Sequence, residues 1–254
     1  MPLFWYSLFM YLPQQFNHPQ HAVTIMREHP FASLVSTDGD GFPFVTHLPL
    51  KLIEEGGQPM GLLGHCARAN PHAGYLLARP QALVTFLGPH AYLSPKVYPD
   101  LARVPTWNYL ALHCQVEART LDGDEAKDAL LKQLIADHEP AYAQQWRELD
   151  PDFAHRMLGG IVAFELKVLA RQCKLKLNQH RKESHAAMRA AYRVGSHHEQ
   201  ALGQWMDNLG MATGLAIMGF GGGALIGAPL AEELMRHFSG PTSVGACEAL
   251  LVMA

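Results

Sequence analysis

Short apolar runs separated by turn residues dominate the first half of the chain. "FASLVST" (31–37) is followed by the turn "DGDG" and then by "FPFVTHLPLKLI" (42–53), a pattern typical of a β-hairpin. "MGLLGH", "ALVTFLG" and "YLALHCQVEART" are three further runs of strand character. Between the first two of these, "NPHAGYLLARP" has a proline near each end and predicts one short helix. This zone is therefore predicted to be a set of short strands with one helix.

Helical spacing begins in the second zone. "DGDEAKDALLKQLIADHE" repeats apolar residues at helical intervals, and Asp122 or Asp124 can cap its start. "GGIVAFELKVLA" is apolar and β-branched enough for a strand, and "ESHAAMRAAY" predicts another helix. The predicted order is a set of strands, then inserted helices, then one late strand. This order predicts an α+β fold that is mainly antiparallel β and forms a barrel with peripheral helices.

The third zone differs from the rest. Met211–Ala231 contains 21 residues and no charge, close to the roughly 20 residues needed to cross a bilayer. The tail at 209–254 resembles a fragment of an oxalate/formate antiporter-type major facilitator transporter. That fold needs two multi-helix halves, so a single such segment cannot transport anything. We therefore expect a fused or repurposed apolar appendage, and we do not expect it to contact a membrane.

Composition and charge exclude several classes of protein. Apolar residues make up 48% of the chain and charged residues 17%, with a net charge of -3, so there is no global electrostatic argument for nucleic acid. The four cysteines are far apart and form no CxxC pair, which fits a reducing compartment. "MPLFWYSLFMYLP" lacks a basic n-region and a small-residue cleavage site, so a cytoplasmic protein is expected. A GxSxG motif is absent, and hydrolase chemistry has no support.

The stretch "GHCARANPH" places His65, Arg68 and Asn70 close together at the end of a predicted strand. Taken from the residues alone, His65 is more often a structural hydrogen-bonding residue at such a place. Asn70 with Pro71 can cap the helix that follows. Further along, His197-His198-Glu199 suggests a metal site, but adjacent histidines do not readily share one, so a solvated loop is predicted there.

Seven motifs in one order resemble the PaiB family of FMN-binding negative transcriptional regulators. They are "MYLPQQF", "THLPL", "GHCARANPH", "GPHAYLSPKVYP", "VPTWNYLALH", "GGIVAFEL" and "KLKLNQHR". The resemblance implies a split β-barrel domain at 10–192, usually a homodimer with cofactor sites at its interface, followed by an extension at 193–254. One motif departs from the family, because Asn178 and His180 stand where "KLSQNR" has serine and asparagine.

FMN would need cations for its phosphate, amides for its ribityl chain and an aromatic wall for its ring. Arg68 and Ser94 are the leading phosphate candidates. The remaining candidates follow from the same motifs: a second cationic set of Lys174, Lys176 and Arg181, the amides Asn70, Asn108 and Gln179, a wall of Trp107 with Tyr92 or Tyr109, and His47, His65 and Thr106 beside them.

Two alternatives remain open at this point. Piperazate synthases, which use heme, resemble PaiB proteins and share a "GH…RANP" stretch; in that interpretation His65 is the axial ligand of heme b and Arg68 pairs with a propionate. The other alternative is a cofactor-free regulator that binds DNA. The region 167–193 holds eight Lys/Arg and one Glu, but it shows no helix-turn-helix pattern, so a solvated or cofactor-facing edge is favoured.

Overall fold

The computed structural model describes residues 9–100, 102–209, 230 and 232–237. The chain divides into two units, Met1–Leu202 and Gly203–Ala254. The division falls ten residues beyond the boundary predicted at 192, and the predicted domain assignment itself stays a prediction. Apart from Leu230, the apolar segment predicted at 211–231 lies outside the described residues. Within the residues that are described, no helix is long and apolar enough to cross a membrane.

One antiparallel sheet of seven strands forms the first unit, with the order β2-β1-β5-β6-β7-β4-β3. The two edge strands, β2 and β3, are joined through Leu50 alone, so the sheet must curl until its edges approach each other. This arrangement is a barrel that is split between β2 and β3, and it confirms the predicted fold class. The strands are β1 Phe31–Thr37, β2 Pro43–Pro49, β3 Lys51–Glu55, β4 Gln58–Ala67, β5 Gln81–Leu93, β6 Thr106–Leu121 and β7 Ile161–Lys176.

Alternation along the strands separates an inward face from an outward face. On β6, Leu110, Leu112 and Cys114 are fully buried and point inward, whereas Trp107 and Tyr109 lie on the outward face. Helices surround this barrel: α1 Ala22–Glu28, α2 His72–Ala78, α3 Asp124–His138, α4 Ala143–Arg147, α5 Pro151–Gly159 and α6 His185–Arg193. Helix α1 contacts strands from both halves of the sheet and buries Ile25 and Met26, so it closes one end of the barrel.

Three local predictions differ from the structure. The apolar run at 42–53 is two strands rather than one, because Pro49 has no N–H for the ladder and the N–H of Leu50 donates to the Pro30 carbonyl at 2.9 Å. Neither candidate aspartate caps α3: its N-cap is Gly123, at φ 82°, and the Asp124 carboxylate contacts His155 instead.

The predicted solvated loop at 197–199 is also wrong, because a helix occupies 197–209. Ser196 and Glu199 form a reciprocal capping pair at its start, in which Ser196 N–H donates to Glu199 Oε2 at 2.7 Å. A Cβ atom at Gly195 would lie 2.4 Å from that same carboxylate oxygen, so a larger residue there would require the Glu199 side chain to move.

Candidate functional site

The predicted site residues fall into two groups at opposite ends of β7. We call Thr106, Trp107, Tyr109, Lys174 and Lys176 the lysine cluster; it lies where the start of β6 pairs with the end of β7. The loop cluster consists of Thr46, His65, Arg68, Asn70 and His72, and it lies where the end of β4 pairs with the start of β7. Within one chain the two clusters are therefore separated by the length of a 16-residue strand.

Among the described residues, the hydrogen-bond partners of Lys176 are two neutral oxygens, and its Nζ also lies 5.9 Å from the centre of the Tyr109 ring. Its Nζ donates to Trp107 O at 2.8 Å and to Thr106 Oγ1 at 2.5 Å. Burial lowers the pKa of this ammonium from its ordinary value, and the charge of Lys174 lowers it further. In the described part of the chain, no carboxylate lies within salt-bridge distance of Lys176.

Lys174 is more deeply buried, with 6% of its surface exposed. Its Nζ donates to the main-chain oxygen of Tyr11 at 2.8 Å and lies 5.3 Å from the ring centres of both Tyr11 and Tyr109. These contacts compensate the positive charge only in part, and no described carboxylate pairs with Lys174 either. Lys174 and Lys176 are thus neighbouring cations that no carboxylate of the described residues neutralises.

An aromatic wall adjoins the lysine cluster on the outward face of the sheet. Tyr92 and Trp107 are directly opposite each other on β5 and β6, with ring centres 6.3 Å apart and an edge-on geometry. About half of each side chain is exposed, at 50% and 53% respectively. The His90 ring lies 6.3 Å from the ring of Trp107 on its other side. An exposed aromatic pair of this kind can take a flat ring against it.

Other predicted residues near this end have structural partners. Gln179 binds main-chain groups with both ends of its amide, accepting from Leu177 N–H at 2.9 Å and donating to Leu175 O at 2.6 Å. The Ser94 hydroxyl accepts from Lys96 N–H at 3.2 Å and caps a 3-10 turn. Arg181 is half-buried, and its nearest carboxylate, on Glu183, is 4.0 Å away.

Asn108 points into the barrel rather than toward the outward face. Its side chain is completely buried, and its Nδ2 donates to Tyr192 Oη at 2.9 Å and to Met188 Sδ at 3.2 Å. Burial raises the pKa of Tyr192 to about 12, so this phenol stays protonated as a hydrogen-bond partner. The geometry favours a packing role for Asn108, in which it ties α6 to β6.

At the loop cluster, a hydrogen-bond network ties the loop after β4 to β2. Thr46 Oγ1 accepts from Asn70 Nδ2 at 3.1 Å and shares a 2.7 Å hydrogen bond with His72 Nδ1. Asn70 Oδ1 accepts from His72 N–H at 3.0 Å and closes the turn that enters α2. His72 is fully buried, and burial lowers its pKa. Both Asn70 and His72 are thus fixed in position.

Arg68 fastens the same loop to the end of α5. Its N–H donates to Gly160 O at 2.8 Å, and its Nε donates to Gly159 O at 2.5 Å. The side chain is otherwise exposed, so part of the guanidinium remains available to an anion. Ser94, the other leading phosphate candidate, lies at the far end of the barrel, beside Thr106.

The two histidines of the predicted set lie on different strands. His65 is half-buried on β4 opposite Ala163; burial lowers its pKa, and its Nδ1 is buried without a hydrogen-bond partner. His47 is exposed on β2, where its Nδ1 lies 3.0 Å from Ser33 Oγ and its ring stacks on Phe31. Among the described residues, no group of three or more His, Cys, Asp or Glu side chains could hold a metal ion.

Tyr11 belongs to this site, although the sequence alone does not identify it. The motif "MYLPQQF" contains it, but nothing in the motif indicates which strand the segment crosses. The structure places its main-chain oxygen and its ring on Lys174, a residue 163 positions later.

The sequence is similar to a protein-family model and to a curated relative. Residues 10–170 match the family model described as "Putative FMN-binding domain". The chain is also 34% identical over 178 residues to the protease synthase and sporulation protein PAI 2 of Bacillus subtilis (strain 168). That match covers 69% of this chain and 84% of the relative.

Two solved structures are similar in their backbone. The FAD and heme binding protein from Mycobacterium smegmatis has a TM-score of 0.49 at 16% identity. The similar region covers 63% of this chain and 72% of that protein. Flavocytochrome Anf3 from Azotobacter vinelandii has a TM-score of 0.48 at 17% identity, with coverage of 63% and 69%. At this level of similarity, neither structure assigns a ligand or a residue role to this chain.

Proposed function

Because this chain belongs to the PaiB-like FMN-binding domain family, we propose that it binds FMN and that the lysine cluster holds the phosphate of the cofactor. The uncompensated pair of Lys174 and Lys176 is the observation that supports this placement. Buried cations are normally paired, and two adjacent ones without a carboxylate are costly until an anion binds. A phosphate dianion would supply the missing charge through charge-assisted hydrogen bonds.

The aromatic wall beside the lysines supports the placement of the flavin ring. Tyr92 and Trp107 each leave about half of their surface exposed on the same outward face as Lys176. The bound flavin would supply hydride and electron transfer chemistry, while the protein supplies binding and orientation. Residues of this chain therefore act by holding the phosphate and packing against the ring.

A homodimer is part of the proposal. The outward face of the sheet exposes a set of large apolar side chains next to the aromatic wall, and a contiguous patch of this kind marks an interaction surface. A second copy seated there would bring its own loop cluster toward the lysine cluster, which one chain alone keeps apart. The exposed residues are Phe31, Val45 and Leu87, and the wall beside them is Tyr92 and Trp107.

We propose that this flavoprotein acts in the cytoplasm, either as a negative transcriptional regulator or as a small flavin oxidoreductase. If the protein is an oxidoreductase, NADH or NADPH should bleach the absorption of the bound flavin. Regulation requires salt-dependent binding to the protein's own promoter DNA. The cations at 167–193 do not form one exposed edge, because Lys174 is buried and Arg171 donates to Gln58 Oε1 at 2.6 Å. The DNA-binding alternative therefore stays a prediction from the sequence.

The first test is the absorption spectrum of protein purified from cells supplied with flavin and heme precursors. We expect a two-banded flavin spectrum and release of FMN on denaturation. A Soret band without flavin would contradict the proposal and favour the heme alternative. In that case His65→Ala should abolish heme loading. A colourless protein that binds neither cofactor would also contradict it.

The second test places the phosphate. In Lys176→Met, FMN should bind about tenfold more weakly, since a charge-assisted hydrogen bond is lost, while riboflavin affinity should stay unchanged. Lys167→Met is the matched control, because Lys167 is an exposed lysine near the middle of β7, away from the lysine cluster. An equal loss for FMN and riboflavin would show that Lys176 does not contact the phosphate.

A further inference from the structure

The segment at 9–17, which we call the strap, approaches the lysine cluster along an otherwise unpaired edge of β7. Strand β4 pairs with β7 only as far as Lys167, which leaves the later part of β7 open on that side. There Asn17 forms an isolated antiparallel bridge with Lys174, and His18 N–H donates to Cys173 O at 3.0 Å. The strap then reaches the Lys174 side chain through Tyr11.

Tyr11 holds Lys174 but is itself weakly held. Its main-chain oxygen accepts from Lys174 Nζ at 2.8 Å, and its ring lies over the ammonium. Yet 82% of Tyr11 is exposed, so little apolar burial fixes this residue. The contact with one buried cation is the main interaction that the structure shows for Tyr11.

A neutral carbonyl is a weak partner for a buried ammonium compared with a phosphate dianion. Lys174 has only 6% of its surface exposed, and the strap lies on it, so a phosphate cannot reach Nζ while Tyr11 O occupies that place. Lys176 lies two residues further along β7, on the same face as Lys174. Its hydrogen-bond partners are on β6, so it remains available to a phosphate while the strap is in place.

We propose that the strap is a displaceable cover, in which the Tyr11 carbonyl takes the place of the ligand phosphate on Lys174 until a phosphorylated ligand displaces it. This inference rests on the proposed function for the identity of the ligand. It goes beyond that function, because it makes strap release depend on the phosphate and not on the flavin ring. A ligand without phosphate leaves the Tyr11–Lys174 contact in place.

Limited chymotrypsin digestion of the full chain tests this, with the cut after Tyr11 followed by mass spectrometry. Saturating FMN should accelerate that cut about tenfold, and millimolar inorganic phosphate should accelerate it in the same direction. Riboflavin should have no effect. In Lys174→Met the cut should be fast without any ligand, whereas Lys167→Met should behave as the parent protein.

The outcomes separate this inference from the proposed function. If FMN binds but leaves the cut after Tyr11 unchanged, the strap is a fixed element and the inference is wrong. Equal acceleration by riboflavin would also overturn it, because the phosphate would not be the cause. If FMN does not bind at all, the proposed function fails, and inorganic phosphate alone then decides whether the strap is displaced.

Discussion

Buried polar side chains fix the positions of the residues around the candidate site. Asn178 is the clearest case: it has a left-handed backbone at φ 61°, and its Nδ2 donates to Ser184 Oγ at 2.9 Å and to Tyr98 Oη at 3.0 Å. Asparagine tolerates this conformation better than most residues. The turn that leads from Lys176 to Arg181 is therefore held by a side-chain network and not by a regular strand.

Asn108 makes a second such network with Tyr192, and its loss should destabilise the fold. We expect Asn108→Ala to lower the free energy of unfolding by about 1–3 kcal/mol, because Tyr192 Oη loses a buried partner. Urea unfolding measures this, with Gln115→Ala on the outward face of the same strand as control. A change within the error of that control would show that the hydrogen bond adds nothing to stability.

Close packing between elements limits which residues fit on β4. Gly64 lies between two elements of the barrel, and a Cβ atom there would lie 2.6 Å from Leu50 Cδ2 and 3.1 Å from Phe164 Cε2. Leu50 is the residue that joins β2 to β3. The glycine of "GHCARANPH" thus allows the split edge of the barrel to pack against β4 and β7.

Gly64→Ala should therefore be strongly destabilising. We expect a loss of about 1–3 kcal/mol in the free energy of unfolding, since the added methyl group overpacks the core. Gly74→Ala is the matched control: Gly74 lies within α2, and a Cβ atom there meets nothing within 4 Å. That change should be neutral or stabilising by up to about 1 kcal/mol. Thermal unfolding of both variants would show the difference, and equal effects would contradict the packing argument.

At the scale of the whole molecule, the curled sheet separates the two predicted halves of the site. The start of β7 pairs with β4, next to Arg68, and the end of β7, which carries Lys176, pairs with the beginning of β6. Arg68 and Lys176 therefore cannot share a ligand within one chain. The helices α3 to α5 enter between β6 and β7 and add a small core of Leu63, Leu130 and Ala163. One chain therefore keeps the two clusters apart, and their meeting at one site belongs to the proposed homodimer.

Burial of several histidines makes the whole fold sensitive to acid. Burial lowers the pKa of these side chains below the ordinary value of 6.5, so between the two pKa values the unfolded chain binds more protons than the folded chain. Stability is therefore complete above pH 6.5 and is lost as the pH falls through the folded-state pKa values. The histidines are His18, His21, His29, His65, His72, His113 and His180.

Urea midpoints measured from pH 8 to pH 5 check this prediction. The midpoints should be constant down to about pH 6.5 and then fall. The corresponding loss in the free energy of unfolding is at most about 1.4 kcal/mol per pH unit for each histidine, and it is less for the more exposed histidines. His72→Gln should flatten the lower part of the curve, since His72 is fully buried. A midpoint that rises toward pH 5 would contradict the assignment.

Local sequence patterns were enough to predict most of the strands, three of the helices and the order in which they follow one another. Period-two and helical spacing are local properties, so the strands around "FASLVST" and "YLALHC" and the helices at 124–138 and 185–193 could be predicted. Which residues of these elements come into contact depends on strand pairing and on the path of the chain around the barrel, and neither can be predicted from local spacing. Strand pairing places Tyr109 beside Lys176, the pleat turns Asn108 inward, and the strap brings Tyr11 to Lys174. That no described carboxylate pairs with the two lysines also follows from the tertiary fold, because it depends on which distant groups the fold brings near them.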